Sequence, residues 1–463
     1  MVFTSTVFLF LFLPVFLTAY ALLPPRHRTA LVLVGSYAFY AWWRPDFALV
    51  FALTTGLAIA SGRAIARAQA DGARRLALAL GVGAQLAALG YFKYAGFGVE
   101  NLNAVLAAVG VRPLPMLEVV LPIGISFYVF QAISYLIDVA RGDAPRDARA
   151  VDVAAFVALF PQLIAGPIVR FKTIAADLPA PRMTLQGFAA GAERFMLGFV
   201  KKVLIADALA PVADGAFALG APTAAEAWLG TTAFAVQLLF DFSGYSDMAI
   251  GLGRMLGFTL PENFLRPYRA RSVTEFWRRW HLSLSTWLRD YLYVPLGGNR
   301  RGRRRTYVNL VTVMLLAGLW HGASWTFILW GAWHAAWLIA ERLAGVRADR
   351  PALPAPLSTL GTFVVVLAGW AAFRADDLDA AGAVLSGMLG LQGLALGPDL
   401  VWLLGPRALL AGALGLWLAF RAPPAAEWRP AAAWRRGVLL PLFVLGVARA
   451  ITDAASPFLY FQF

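Results

Sequence analysis

Apolar residues fill this chain in long runs, separated by short stretches that are polar, arginine-bearing or rich in glycine and proline. Runs of helical length fall near 4–22, 29–43, 46–60, 76–94, 116–139, 186–208, 229–256, 306–320, 322–342, 356–373, 404–421 and 437–453. A helix needs about 20 predominantly apolar residues to cross a bilayer, and water cannot satisfy backbone groups inside it. The pattern therefore predicts an all-α fold: a polytopic integral membrane protein with about 12 transmembrane helices. The runs at 29–43 and 46–60 are short, which predicts strong tilt or partial spans.

Two stretches depart from the simple span. Phe156–Arg170 carries Phe160-Pro161-Gln162 and Ala165-Gly166-Pro167 inside apolar sequence. Broken backbone is tolerated at membrane depth where protein buries it or it lines a cavity. The stretch reads as a re-entrant element, with an ordinary proline-kinked hairpin as the alternative. Residues 262–305 are too charged to span and too aromatic for a solvated loop. Trp277, Trp280, Trp287 and Tyr291 recur at three- or four-residue steps, which predicts an interfacial helix with an aromatic stripe opposite its arginines. Pro295 to Asn299 would end it in a tight turn.

Composition sharpens the membrane reading. Of 463 residues, 60% are hydrophobic and 14% charged, against about 25% charged in ordinary soluble domains. The net charge is +14, and all but four of the 40 basic residues are arginine. These arginines cluster between apolar runs, as the positive-inside rule describes, and no soluble domain carries them, which argues against nucleic-acid binding. Arg26 with Arg28, then Arg63, Arg67, Arg74 and Arg75, then Arg141, Arg146 and Arg149 fall on the cytoplasmic face. The connections near Pro45 and 95–115 are poor in basic residues, so the N-terminus is expected in the periplasm. Residues 4–22, with Ala19-Tyr20-Ala21 near their end, have no positive residue before Arg26 and read as a retained first span, not a cleaved signal. The absence of cysteine excludes disulfides, thiolate metal sites and a cysteine nucleophile. No metal-ligand spacing, P-loop, dinucleotide fingerprint, GxSxG or internal repeat is visible.

The candidate chemistry centres on His321, an ionisable group inside a run otherwise uncharged from Thr306 to Ala340. Such a group is costly at membrane depth and marks a functional path unless it is a neutral core histidine. Trp320 and Trp325 would wall it, Gly322 permits close approach, and the Gly318–Ser324 stretch can bend the chain. A histidine of near-neutral pKa there suits general-base work on a hydroxyl. His281 lies in Arg278-Arg279-Trp280-His281, where arginines disfavour the imidazolium; an interfacial structural hydrogen bond is its alternative. His334 reads as a packed helix residue and His27 as part of a loop. Asp241, Ser243 and Tyr245 form a second polar cluster, suited to orienting a histidine or a hydroxyl, or else to pairing with Arg254 or Arg269 for structure alone. Arginine forks match phosphate oxygens, so Arg278 and Arg279 are candidates for an anionic cosubstrate or for lipid headgroups.

Five strings together carry a family resemblance: FPQLIAGPIVR at 160–170, DFSGYSDMAIGLGRMLGF at 241–258, NFLRPYRARSVTEFWRRWHLSLSTWLRDYLYVPLGGNR at 263–300, LWHGASWTFILWGAWH at 319–334, and the terminal SPFLYFQF. The chain resembles the membrane-bound O-acyltransferase family, in its branch similar to the membrane subunit of bacterial alginate O-acetyltransferases. The first 90 or so residues match only in character. The resemblance implies one membrane domain over 1–463: N-terminal helices at 1–140, a catalytic core at 150–345 with the cytoplasmic interfacial segment 262–305, and C-terminal helices at 346–463. It implies a tunnel through the protein, with His321 and His281 as the catalytic pair. Trp280, Arg278, Arg279, Trp320, Asp241, Ser243, Tyr245 and Asn299 would bind the donor or support the pair. The implied donor is cytoplasmic acetyl-CoA, with no bound cofactor or metal. The acceptor would be an exported polysaccharide, reached directly or through a periplasmic acetyltransferase- or esterase-like partner, in the lipid of a bacterial inner membrane. Transfer of D-alanine or another acyl group to a cell-wall polymer, and a polysaccharide or lipid-linked-sugar transporter, are the competing readings.

Overall fold

The computed structural model describes residues 1–346, 353–427, 433–452 and 458–459, and among them the regular structure is helical throughout. In chain order the helices are α1 (Leu13–Leu22), α2 (Pro25–Ala41), α3 (Pro45–Arg67), α4 (Asp71–Ala108), α5 (Ile125–Arg141), α6 (Ala150–Ala158), α7 (Phe160–Leu163), α8 (Phe171–Ile174), α9 (Leu185–Val200) and α10 (Asp207–Phe217). They continue with α11 (Ala224–Leu256), α12 (Val273–Trp277), α13 (Leu282–Leu288), α14 (Gly302–His321), α15 (Trp325–Leu343), α16 (Ala355–Arg374), α17 (Leu378–Met388), α18 (Pro398–Leu403), α19 (Pro406–Arg421) and α20 (Ala433–Thr452). Three of them, α3, α4 and α16, are long and apolar enough to cross a membrane by length and composition. The fold is an all-α, multi-helix one with several membrane-length apolar helices. Many large apolar side chains are exposed, among them Leu22, Leu80, Leu185, Leu389 and Trp402. Apolar surface on this scale fits lipid contact better than water.

The chain divides into two compact units, residues 1–192 with 249–261 and residues 193–248 with 262–463. In the first, α6 ends at Ala158 and α7 restarts after the single residue Leu159, with Pro161 in its first turn. Every residue from Asp152 to Val169 is buried. The broken backbone is satisfied from within the unit: Phe160 N–H donates to Ser36 Oγ at 3.1 Å, and Gln162 Nε2 donates to the Phe156 carbonyl at 2.6 Å. Gly124 enters α5 at φ 76°, where a side chain would strike the Leu163 carbonyl oxygen at 2.5 Å. That close approach requires glycine.

The second unit contains the α14–α15 hairpin. The helices run antiparallel with Gly318 against the Phe327 backbone and Gly331 against that of Met314, so two missing side chains let the backbones meet. Ser324 caps α15, its Oγ accepting from Thr326 N–H at 3.2 Å. Glu341, near the end of α15, accepts from Thr274 N–H at 2.9 Å, from Thr274 Oγ1 at 2.8 Å and from Val273 N–H, which ties α12 to α15.

The expected single helix with an aromatic stripe through 277–291 does not form. α12 stops at Trp277, the chain turns through Arg278–His281, α13 follows, and a wider helical turn covers Arg289–Tyr293. The cause is competition for the backbone. Leu265 N–H donates to the Arg279 carbonyl at 2.9 Å and Leu282 N–H to the Asn263 carbonyl at 3.0 Å, so residues 263–265 pair with 279–282. His281 adopts φ 44°, ψ 54°, a left-handed conformation rare for a non-glycine residue.

Candidate functional site

His281 heads α13 and is fully buried. Its Nδ1 lies 3.1 Å from Asn263 Oδ1, and its ring meets Phe242 edge-on at 4.7 Å between centroids. Trp320 also packs against His281, 5.8 Å away. Burial pushes the imidazole down to about 3, so desolvation, more than neighbouring arginine charge, keeps it neutral. Of the two arginines expected beside it, Arg278 is exposed and Arg279 is engaged by Glu275 at 2.5 Å.

His321 is the last residue of α14, because Gly322 leaves the helix in an extended conformation. The expected bend is there, and the close approach at Gly322 is made by the Phe327 ring. The imidazole, 5% exposed, stands among aromatic rings: Trp320 at 5.0 Å, Phe373 at 5.0 Å and Trp330 at 5.1 Å, all edge-on. Trp325 is half-exposed. The two histidines expected to act together therefore share one neighbour, the buried indole of Trp320.

The remaining candidates separate. Trp280 is buried in the aromatic floor, 5.0 Å from both Phe264 and Trp370 and stacked on Phe276 at 5.6 Å. Asp241 pairs with neither Arg254 nor Arg269. Its Oδ1 meets Lys202 Nζ at 2.7 Å and its Oδ2 accepts from Leu459 N–H at 3.0 Å. Lys202 also holds Asp207, itself partly exposed, at 2.6 Å, which makes a carboxylate–ammonium–carboxylate triad one residue along α11 from the His281 wall. Ser243 is buried on the same helix, and Tyr245 packs on Phe458 at 4.6 Å. Asn299 lies exposed on the turn after Tyr293, whose hydroxyl donates to its Oδ1 at 2.5 Å. His334 is completely buried, 5.1 Å from Trp330 and 5.2 Å from Trp277, with no hydrogen-bond partner for either ring nitrogen among the described residues.

Sequence reasoning missed Asn263, Phe242, Phe373 and Lys202. Lys202 carried a signal, as a lysine within an apolar run. Asn263 carried less, a single amide at the edge of a segment crowded with charge. Among the described residues no group of three or more histidine, aspartate or glutamate side chains is placed to hold a metal.

Comparison with known proteins places this site in context. Residues 141–372 match the model of MBOAT, the membrane-bound O-acyltransferase family. A probable alginate O-acetylase of Azotobacter vinelandii is 56% identical over 84% of this chain and 78% of its own. One from Pseudomonas putida is 49% identical over the full length of both. A peptidoglycan O-acetyltransferase of Helicobacter pylori is 37% identical over 86% of this chain and 81% of its own.

Proposed function

The chain belongs to the membrane-bound O-acyltransferase family and is an O-acyltransferase, and on that premise we propose that it moves acetyl from cytoplasmic acetyl-CoA to an exported polysaccharide of the alginate class. Transfer is direct or passes through a periplasmic acyltransferase partner. The proposal extends to a multi-pass inner-membrane protein of about 12 spans, with Phe156–Arg170 re-entrant, residues 150–345 as catalytic core and a tunnel between the two faces.

The observation that carries this reading is the pair of buried histidines on one tryptophan, within the segment that matches the family. In the proposed reaction His321 takes the proton from the acceptor hydroxyl as its oxygen attacks the thioester carbonyl carbon. The tetrahedral intermediate collapses with loss of the C–S bond, and the departing CoA thiolate is protonated. Acyl transfer of this kind needs a base and a donor for the developing oxyanion. His281 serves as the second proton-handling group, and Trp320 packs against both rings. Trp280 and the Lys202–Asp241 pair, with Ser243 and Tyr245, support the walls. Arg278, Arg279 and Asn299 belong to the proposed cytoplasmic mouth, where the exposed guanidinium of Arg278 suits CoA phosphates and that of Arg279 is held by Glu275.

The test is transfer of radiolabelled acetyl from acetyl-CoA to deacetylated alginate by the purified protein in proteoliposomes. His321→Ala is expected to insert and fold while losing transfer. Retained transfer in that variant refutes its role, and a wild-type protein that moves polymer without forming a covalent product supports the transporter instead.

A further inference from the structure

Asn263 is buried beside His281 and bonded on both ends of its amide. Its Oδ1 accepts from Ser283 N–H at 3.2 Å and from Ser283 Oγ at 3.0 Å, and its Nδ2 donates to Ser246 Oγ at 3.1 Å. The backbone N–H of Ser283 can only donate, so the amide atom facing it is oxygen and the flip of Asn263 is fixed. His281 Nδ1 faces that same oxygen. A carbonyl oxygen only accepts, so the histidine nitrogen opposite it must carry the proton.

The carrier of Asn263 is itself clamped. Glu262 receives Arg194 through two bonds of 2.6 and 3.1 Å. Arg194 Nε also donates to Asp247 Oδ1 at 2.8 Å, and Lys201 Nζ to Asp247 Oδ2 at 2.5 Å. Asp247 neighbours Ser246 on α11, so one ion cluster pins the loop residue before Asn263 and the helix residue after its second partner. Paired backbone bonds from 263–265 to 279–282 complete the frame and hold His281 in its left-handed conformation. A non-glycine residue kept there is held by its surroundings, as at sites where geometry matters to function.

We propose that Asn263 is a positioning residue that locks His281 in the Nδ1-protonated tautomer, so that Nε2 is its basic nitrogen in acyl transfer. The reaction half of this statement rests on the acyl-transfer reading above. The tautomer half rests on hydrogen bonds alone.

Solid-state NMR of protein labelled with 15N-histidine in nanodiscs tests the tautomer, the His281 signals being those lost in His281→Gln. At neutral pH the wild type is expected to show a protonated Nδ1 and an unprotonated Nε2; the reverse overturns the proposal. Asn263→Leu removes the acceptor and is expected to lower kcat on the order of 10²-fold, the scale of one misdirected proton-transfer group, with KM for acetyl-CoA unchanged. Asn263→Asp keeps an acceptor oxygen and is expected to keep the Nδ1–H signature and recover part of kcat. Equal loss in both variants, or no loss in Asn263→Leu, makes Asn263 merely structural. If Asn263→Leu does not fold, the wild-type spectrum and Asn263→Asp decide. A wild type that transfers no acetyl defeats the acyl-transfer reading, while the labelled protein still decides the tautomer.

Discussion

Gly318→Ala is the substitution that most directly links packing to chemistry. A methyl group at 318 would overlap the carbonyl oxygen of Phe327 and stand 3.0 Å from its carbonyl carbon. Carbon atoms in contact prefer about 3.5–4.0 Å, and here the obstacle is backbone, which has no rotamer to change. The α14 and α15 backbones must therefore separate by roughly 1 Å, at a cost of about 1–3 kcal/mol for an overpacked core position. His321 sits three residues further on, at the end of the displaced helix. In the proposed role of His321, a shift of ~1 Å in the reacting group can cost ~10²-fold in rate. The expected result is a lowered thermal midpoint in detergent together with a loss in kcat of that order. The control is Gly361→Ala, an exposed position on α16 where a methyl group meets nothing within 4 Å; it should leave both readouts intact. A Gly318→Ala protein with wild-type midpoint and rate would refute the claim that glycine contact sets the position of His321.

Much of this architecture was legible in the pattern of apolar runs, and the failures have identifiable causes. Eleven of the twelve apolar runs fall largely within helices, but several helices run further than hydrophobicity indicated, α3 and α4 the furthest at their ends. α3 continues through Arg63 to Arg67 and α4 past Tyr94 through Glu100 to Ala108, because isolated charged residues on a helix do not break it. The run at 116–139 fails in its first part, since Pro122 and the left-handed Gly124 postpone α5 to Ile125. Short helices such as α10, α17 and α18 left no separate signal. At the site, His321 stood out because charge is rare in its surroundings. The aromatic spacing through 277–291 misled, since periodicity registers side-chain placement and not the tertiary hydrogen bonds that turn the chain at His281. Asp241 shows the same limit: its nearest basic partner is Lys202, 39 positions earlier in the chain, and only packing brings them together.

The remaining predictions concern buried polar groups. Lys202→Met strands Asp207 and Asp241 without their shared cation, and should destabilise by about 3–5 kcal/mol in thermal unfolding; adding Asp241→Leu should recover part of it, and an unchanged midpoint in the single variant would contradict the pairing. His281 is held neutral in the fold at about 3 against an ordinary 6.5. The unfolded chain therefore binds the extra proton first, and stability is full above pH 6.5 and falls on acidification towards pH 3. The slope is up to about 1.4 kcal/mol per pH unit, and His281→Gln should remove it; an identical acid profile in that variant would count against a buried neutral ring. His334 offers the sharpest contrast with His321, because the two rings flank the same Trp330 at 5.1 Å yet differ in what surrounds them. His334 stacks on Phe276 at 6.1 Å, and both its nitrogens lack hydrogen-bond partners among the described residues. Each unmet buried polar group costs about 1–3 kcal/mol. A phenyl ring keeps the stack and removes the unmet atoms, so His334→Phe should hold or raise the thermal midpoint while acetyl transfer persists. If transfer is instead abolished in a folded His334→Phe protein, the ring is doing chemistry through those nitrogens and its assignment to packing is wrong.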